Sequence, residues 1–92
     1  MIQSIRHKGL LQYYETGNSN KLPAQYLRKI NRIFDQLDAV STEEDIQALG
    51  QGIHKLSGNL KDFWSIKISP NYRMIFRFEK GDIWDLDYLD YH

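Results

Sequence analysis

The chain ends in the stretch 64-WSIKISPNYRMIFRFEKGDIWDLDYLDYH-92, which contains three runs of alternating apolar and polar residues. The apolar positions are Trp64, Ile66 and Ile68, then Met74, Phe76 and Phe78, then Trp84, Leu86 and Tyr88. Alternation with a period of two is typical of strands that bury one face. Turn-forming residues at positions 69–71 and 80–81 separate the runs. The sequence therefore predicts an antiparallel meander with Trp64 and Trp84 in the core, rather than as platforms for stacked bases.

The residues before this stretch contain helical patterns that could cover its apolar face. After Pro23, which suits the first turn of a helix, apolar residues recur at helical spacing from Tyr26 to Leu37. This pattern predicts an amphipathic helix over residues 23–39. A shorter apolar cluster over residues 10–14 also has helical spacing, and Ser41 with Glu44 has the spacing of a capping box that would start a third helix.

Together with a candidate strand at residues 2–6, this order of elements predicts an α+β fold. The expected architecture is an antiparallel sheet with helices packed on one face. We expect residues 1–92 to form a single domain, because a chain of this length is enough for one small domain and no more.

Net charge and amino-acid composition argue against some classes of function for this protein. The 12 basic and 12 acidic residues give a formal net charge of zero, which disfavours a strong non-specific nucleic-acid binder. The basic residues nevertheless concentrate at positions 6–8 and 21–32, and the acidic ones at 35–45 and 79–90; solvated surface is the simplest interpretation of such runs. The chain has no cysteine, no apolar run long enough to span a membrane and no signal-peptide pattern, so we expect a cytoplasmic protein.

The residues suited to chemistry lie toward the end of the chain. His54 and His92 can titrate near neutral pH, Arg73 opens a predicted strand, and Asp90-Tyr91-His92 closes the sequence. In a meander, the start of one strand lies beside the end of its neighbour, so Arg73 and the tail should share one end of the sheet. A base, an acid and a cation gathered there would suit metal-free phosphoryl transfer on RNA, which supplies its own 2′-hydroxyl nucleophile.

Other interpretations of these residues stay open. A zinc site from His54, His92 and a carboxylate is conceivable through the fold, although the histidine spacing matches no local motif. Asp85 and Asp87 share a strand face and could bind a hard cation in a metal-dependent hydrolase, or could simply face solvent. Tyr91 could be an ordinary packing residue.

Five short motifs stand in order along the chain. They are Ile2-Gln3-Ser4-Ile5-Arg6-His7-Lys8-Gly9-Leu10, His54-x-Leu56-x-Gly58, Trp64-Ser65-Ile66, Asn71-Tyr72-Arg73 and Asp90-Tyr91-His92. This ordered set resembles the HigB toxins of the RelE superfamily. The resemblance implies a fold like that of microbial ribonucleases and membership of a bacterial type II toxin–antitoxin pair.

The resemblance also implies an activity and partners. Such a toxin binds the 70S ribosome and cleaves messenger RNA in the A site without metal or cofactor, leaving a 2′,3′-cyclic phosphate and a 5′-hydroxyl. An antitoxin of the HigA type would neutralise the toxin and repress the operon, so operator DNA would be contacted only through the antitoxin. No membrane is involved.

Carried over residue by residue, the resemblance implies catalytic roles for His54 and His92 as acid–base groups and for Arg73 as the cation beside the phosphate. Asp90 and Tyr91 would contribute to catalysis or shape the site. The residues expected to bind RNA or the ribosome are Lys8, Arg28, Lys29, Arg32, Lys55, Ser57, Lys61 and Asn71.

One position departs from the pattern. Ser57 stands where these toxins often have lysine, and serine supplies no fixed positive charge. Lys55 and Lys61 are the nearby cations that could substitute. The alternative hypothesis is therefore a catalytically weak or inactive homologue that acts as an antitoxin-binding module in operon autoregulation.

Overall fold

The structure, a computed structural model, describes residues 1–50 and 52–90, so Gln51, Tyr91 and His92 lie outside the described residues. The helices are α1 (Lys8–Thr16), α2 (Leu27–Ala39) and α3 (Glu43–Gln47), with a 3₁₀ turn at Ala24–Tyr26. The strands are β1 (Ile53–Lys55), β2 (Phe63–Lys67), β3 (Tyr72–Glu79) and β4 (Asp82–Asp90), with a second 3₁₀ turn at Gly58–Leu60. The strands form an antiparallel sheet in the order β1-β2-β3-β4, which confirms the predicted α+β meander.

One face of the sheet packs against the helices. The apolar stripe predicted for α2 is buried at Ile30, Ile33, Phe34 and Leu37, and these residues share a core with the inward side chains of the strands. The first predicted turn of this helix, after Pro23, is a 3₁₀ turn instead, and the α-helix begins at Leu27. Burial of the stripe, rather than helix propensity, supplies most of the stability of such a helix.

The alternation predicted for the third run fails at Asp85. This residue has a positive φ of 55°, and the pairing register between β3 and β4 shifts in the same region. As a result Ile83 and Leu86, three residues apart, are both fully buried. Trp84 is only half-buried and its indole N–H donates to the backbone carbonyl of Glu79, so the prediction that it lies in the core was wrong. Trp64 does lie in the core, as predicted.

The irregular pairing at Asp85, a β-bulge, coincides with an interruption in the pairing of the N-terminal segment with β4. Residues 2–6 run parallel to β4 but form only isolated bridges, Ile2 with Ile83 and Ile5 with Leu86, instead of the predicted strand. Between these bridges the hydroxyl of Ser4 accepts a 2.8 Å hydrogen bond from the backbone N–H of Asp85. A β-bulge disrupts the regular ladder of hydrogen bonds between strands, so the segment forms separate bridges on either side of Ser4.

The capping box of α3 lies one residue later than predicted. The Thr42 side chain accepts a hydrogen bond from the N–H of Asp45, and the Asp45 carboxylate accepts in return from the N–H groups of Thr42 and Ser41. These bonds lower the pKa of Asp45, with the backbone donor of Ser41 contributing most. No helix in the described part of the chain is long and apolar enough to cross a bilayer.

Candidate active site and RNA-binding surfaces

The face of the sheet opposite the helices carries several of the predicted site residues. We call it the open face and define it by Ser65, Arg73 and Ile75. Ser65 is paired with His54 of β1 on one side and with Ile75 of β3 on the other. Directly paired residues project to the same side of a sheet, so His54 also belongs to the open face.

Arg73 is held on this face by a buried partner. Its Nη1 atom donates a 3.4 Å hydrogen bond to the hydroxyl of Ser65, which is only 1% exposed. Ser65 thus stands between His54 and Arg73 on three adjacent strands. The alternation of apolar and polar residues puts Ser65 on the polar side of β2, but it did not predict that this side chain is buried.

The prediction that Arg73 and the C-terminal tail share one end of the sheet is confirmed as far as Asp90, where the described residues end. In the β3–β4 register Arg73 is paired with Leu89, and Tyr72 with Asp90. Alternation then puts Leu89 on the open face with Arg73, but puts Asp90 on the face of Tyr72 and Tyr88. Arg73 and Asp90 therefore reach the same end of the sheet from opposite faces.

An aromatic cluster surrounds the side chain of Tyr88 near this end. Its ring stacks on Tyr72 with centroids 5.1 Å apart, and Tyr72 in turn contacts Tyr26. The pKa of Tyr88 is raised to about 12. Burial is the largest cause, and electrostatic interactions with Tyr72, Tyr26 and Asp90 add to it. Tyr91 and His92, both predicted to be catalytic, lie outside the described residues, so their proposed roles stay predictions.

The open face also contains a concave apolar surface, which we call the apolar cup. Its cavity measures about 210 Å³. It is lined by Leu56, Leu60, Ser65, Arg73, Ile75 and Leu89. Arg73 thus lies both in the wall of the apolar cup and beside Leu89, near the end of β4.

A second surface concentrates positive charge. A cavity of about 580 Å³ is lined in part by Lys29, His54 and Lys67, and a neighbouring one of about 360 Å³ by Lys29, Arg32 and Lys67. We call Lys29, Arg32, His54 and Lys67 the basic groove. No carboxylate lines either cavity, and no salt bridge found in residues 1–50 and 52–90 involves these four residues. The ammonium group of Lys29 donates to the backbone carbonyl of Ile68 at 3.2 Å, which orients it along the groove.

The remaining predicted RNA-binding residues are spread over the surface. Lys8 begins α1 and Arg28 lies in the first turn of α2, both exposed. Ser57 precedes the 3₁₀ turn at residues 58–60 and Lys61 follows it, again exposed. Asn71 lies in the turn between β2 and β3, where its N–H donates to the Ser69 hydroxyl.

Lys55 does not substitute for the missing lysine at position 57. It is paired with the core residue Trp64 and therefore belongs to the helix-covered side of the sheet. Its ammonium group lies 5.6 Å from the centroid of the Trp64 ring. A separate cavity there is lined by Lys55 and Arg77 together with the carboxylates Glu43, Asp62 and Glu79.

The carboxylates considered for metal binding are engaged otherwise. Asp85 lies 3.6 Å from Arg6 and 3.3 Å from Arg77, a network that the sequence did not reveal because its members are up to 79 positions apart. Asp87 accepts a hydrogen bond from the N–H of Tyr88. In the described part of the chain, no group of three or more His, Asp or Glu residues is arranged to hold a metal ion. The interpretation of Asp85 and Asp87 as a cation site therefore has no structural support.

Comparison with known proteins places this architecture in a family. A family model described as the RelE-like toxin of type II toxin–antitoxin system HigB matches residues 3–92. The chain belongs to the HigB-like toxin family. The resemblance of the ordered motifs is thus confirmed, and membership of a type II system implies an antitoxin partner.

Two curated relatives of this toxin cover it completely. Endoribonuclease HigB of Proteus vulgaris is 40% identical over 95 residues, with 100% of both chains covered. Toxin HigB-1 of Vibrio cholerae serotype O1 is 33% identical over 94 residues, with 100% of this chain and 98% of the relative covered.

Solved structures confirm the toxin fold. A YoeB/ParE toxin from Agrobacterium tumefaciens superposes with a TM-score of 0.58 at 18% identity, covering 100% of this chain and 99% of the other. A conserved hypothetical protein from Helicobacter pylori superposes with a TM-score of 0.51 at 16% identity, covering 100% and 96%. At these identities the likeness concerns the fold alone.

Proposed function

We propose that this protein is an endoribonuclease toxin of the bacterial cytoplasm that cleaves messenger RNA in the ribosomal A site without a metal ion. Family membership and the relative named Endoribonuclease HigB support the reaction class. The observation that carries the proposal is the position of Arg73 on the open face, paired with Leu89 near the end of β4. An antitoxin of the HigA type would neutralise the toxin and alone would contact operator DNA.

In the proposed reaction the substrate supplies the nucleophile. The ribose 2′-oxygen bonds to the adjacent phosphorus while the bond from phosphorus to the 5′-oxygen breaks. One proton leaves the 2′-hydroxyl for a general base, and a general acid protonates the departing 5′-oxygen. His54 and His92 are the residues we propose for these two roles, with Tyr91 shaping the site. Asp90, which lies on the opposite face from Arg73, would shape this end of the sheet without contacting the phosphate beside Arg73.

Arg73 would stabilise the charge that develops on the phosphate. An arginine guanidinium can donate two parallel hydrogen bonds to phosphate oxygens. The bond to Ser65 keeps the side chain oriented before the substrate arrives. Electrostatic stabilisation by such preorganised groups is usually the largest single contribution to the rate enhancement of an enzyme.

The basic groove offers a route to RNA binding despite the zero net charge. Lys29, Arg32 and Lys67 form a local positive surface, and no carboxylate is among the described residues that line it. Positive side chains that contact phosphates supply most of the sequence-independent affinity for nucleic acid. We propose that this groove, with Arg28 beside it on α2, contacts ribosomal or messenger RNA.

Ser57 favours one alternative. Because Lys55 belongs to the other side of the sheet, it cannot restore the charge that a lysine at position 57 would supply. A homologue with weak or absent cleavage would then act as an antitoxin-binding module in operon autoregulation. This alternative predicts that expression of the chain alone does not arrest growth.

The test is cleavage on pre-formed stalled ribosomes, with the 3′ ends of the messenger RNA mapped in the presence of EDTA. We expect cuts in the A site with cyclic-phosphate ends, lost in Arg73→Gln and His92→Gln but retained in Lys80→Gln, a charge-matched control in the β3–β4 turn. Wild-type protein that is folded and makes no cuts would refute the nuclease and leave the binding module. Cleavage that EDTA abolishes would refute the metal-free mechanism.

A further inference from the structure

We propose that the apolar cup binds the flat face of the nucleobase adjacent to the scissile phosphate. This inference rests on the proposed nuclease function and assigns a base-binding role to Leu56, Leu60, Ile75 and Leu89. It names a part of the substrate, the base, that the catalytic residues do not contact.

The cup is built before any ligand arrives. Ile75 forms part of its lining on β3 and is only 5% exposed, although it lies on the open face, opposite the α-helices. The backbone N–H of Leu56 donates a 2.9 Å bond to the carbonyl of Phe63, which anchors the start of the loop that carries Leu60. Leu60 is 38% exposed, one of few large apolar side chains in the described part of the chain left so open to solvent. Preformed apolar concavities with a small number of polar groups are typical of ligand sites.

The position of the charged residue among those that line the cup indicates what kind of ligand the cup binds. Among the described residues that line the cup, Arg73 is the charged one, and its position on the wall puts a guanidinium beside an aliphatic surface. A nucleotide has the matching arrangement, because its base has apolar faces and is joined through the sugar to an anionic phosphate. Unstacked bases in single-stranded RNA are recognised in this way, by contact with their faces.

The cup should hold a base without reading its identity. The hydroxyl of Ser65 is only 1% exposed and so is poorly accessible to a base in the cup, and the other described lining side chains except Arg73 are aliphatic. Arg73, which we assign to the phosphate, is therefore the accessible polar side chain among the described lining residues. We expect the cup to require that a base is present and to tolerate which base it is.

The experiment is a double-mutant cycle between protein and RNA on stalled ribosomes. The protein change is Leu60→Ala, with Leu11→Ala on α1 as the matched control, since the two leucines are 38% and 37% exposed. The RNA change is an abasic nucleotide on either side of the mapped cut. We expect Leu60→Ala, and the abasic nucleotide at one of the two positions, each to lower kcat/KM about tenfold, because either change removes the same buried apolar contact. The two changes combined should lower it hardly further, because they remove one interaction.

Several outcomes would overturn the proposal. Equal activity of Leu60→Ala and Leu11→Ala would do so, as would strictly additive losses at both abasic positions. The abasic RNA also tests the wild-type protein alone, so the result does not depend on how the variant folds. If Leu60→Ala weakened only antitoxin binding, the cup would be a protein contact instead. Absence of any cut by the wild-type toxin on unmodified RNA would refute the nuclease itself, a result distinct from these.

Discussion

Two lysines of the basic groove provide a sharp test of how a chain with zero net charge binds RNA. Lys29 and Lys67 line both cavities of the groove, and neither takes part in a salt bridge among the described residues. Replacing both with glutamine removes two positive charges while keeping side chains that can donate hydrogen bonds. The matched control is Lys21→Gln with Lys80→Gln, two exposed lysines elsewhere that change the net charge by the same amount.

The magnitude follows from counterion release. Each phosphate contact contributes about 0.7 to 0.9 to the slope of the logarithm of the association constant against the logarithm of salt concentration. Loss of two contacts should therefore make this slope shallower by about 1.4 to 1.8. The control pair should leave the slope within error of wild type, because its lysines lie outside the groove.

The assay is a titration of fluorescently labelled toxin with 70S ribosomes at a series of salt concentrations. An Arg73→Gln background prevents cleavage during the measurement and is common to all the variants. If the groove variant kept the wild-type slope, the groove would not contact phosphates and the reasoning would fail. If groove and control variants changed the slope equally, overall charge rather than the groove would govern binding.

Two further predictions concern stability. Hydrogen bonds hold the pKa of Asp45 below its usual value, so the stability that they supply is present above the unfolded pKa of about 4 and is lost as the pH falls through the lower folded value. The free energy of unfolding of Asp45→Asn, measured in urea, should therefore be clearly below that of wild type at pH 7, and the difference should shrink toward pH 2. A difference that stayed constant with pH would contradict this origin. The hydroxyl of Tyr88 is buried without a hydrogen-bond partner among the described residues, and its pKa is raised to about 12. Tyr88→Phe should therefore have a free energy of unfolding within about 0.5 kcal/mol of wild type at pH 8. Because the folded pKa of Tyr88 lies above the unfolded value of about 10, we expect the wild type to lose stability as the pH rises from about 10 through about 12 and the variant to lose less, since the contribution of Tyr14, whose pKa is also raised to about 12, remains in both proteins. A deficit above about 1 kcal/mol at pH 8 would reveal a partner for the hydroxyl.

Local sequence patterns predicted most of the elements and one long-range contact. Alternation in residues 64–78 and the apolar stripe of α2 describe real buried faces, because each depends only on the period of its own element. The pairing of Arg73 beside the end of β4 followed from the meander, since antiparallel neighbours exchange starts and ends. The family resemblance came from an ordered set of motifs and needed no structure.

Patterns failed where a distant residue decided the geometry. Trp84 leaves the core because the bulge at Asp85 shifts the register, and Asp85 is held there by Ser4 from the other end of the chain. The capping box of α3 could be formed from Ser41 or from Thr42 on spacing alone, and the backbone conformation chose Thr42. The position of Trp84 is therefore not visible within a window of neighbouring residues, whereas the choice between Ser41 and Thr42 is a local one.

By itself, the sequence determined an antiparallel sheet backed by helices, a family, and a set of residues suited to metal-free phosphoryl transfer. Only the tertiary structure decided which of those residues share a face. Because side chains alternate along a strand, His54 and Arg73 join Ser65 on the open face, while Lys55 lies on the other side. The apolar cup and the basic groove arise from residues far apart in the chain, so they exist only once strand pairing and helix packing have brought those residues together.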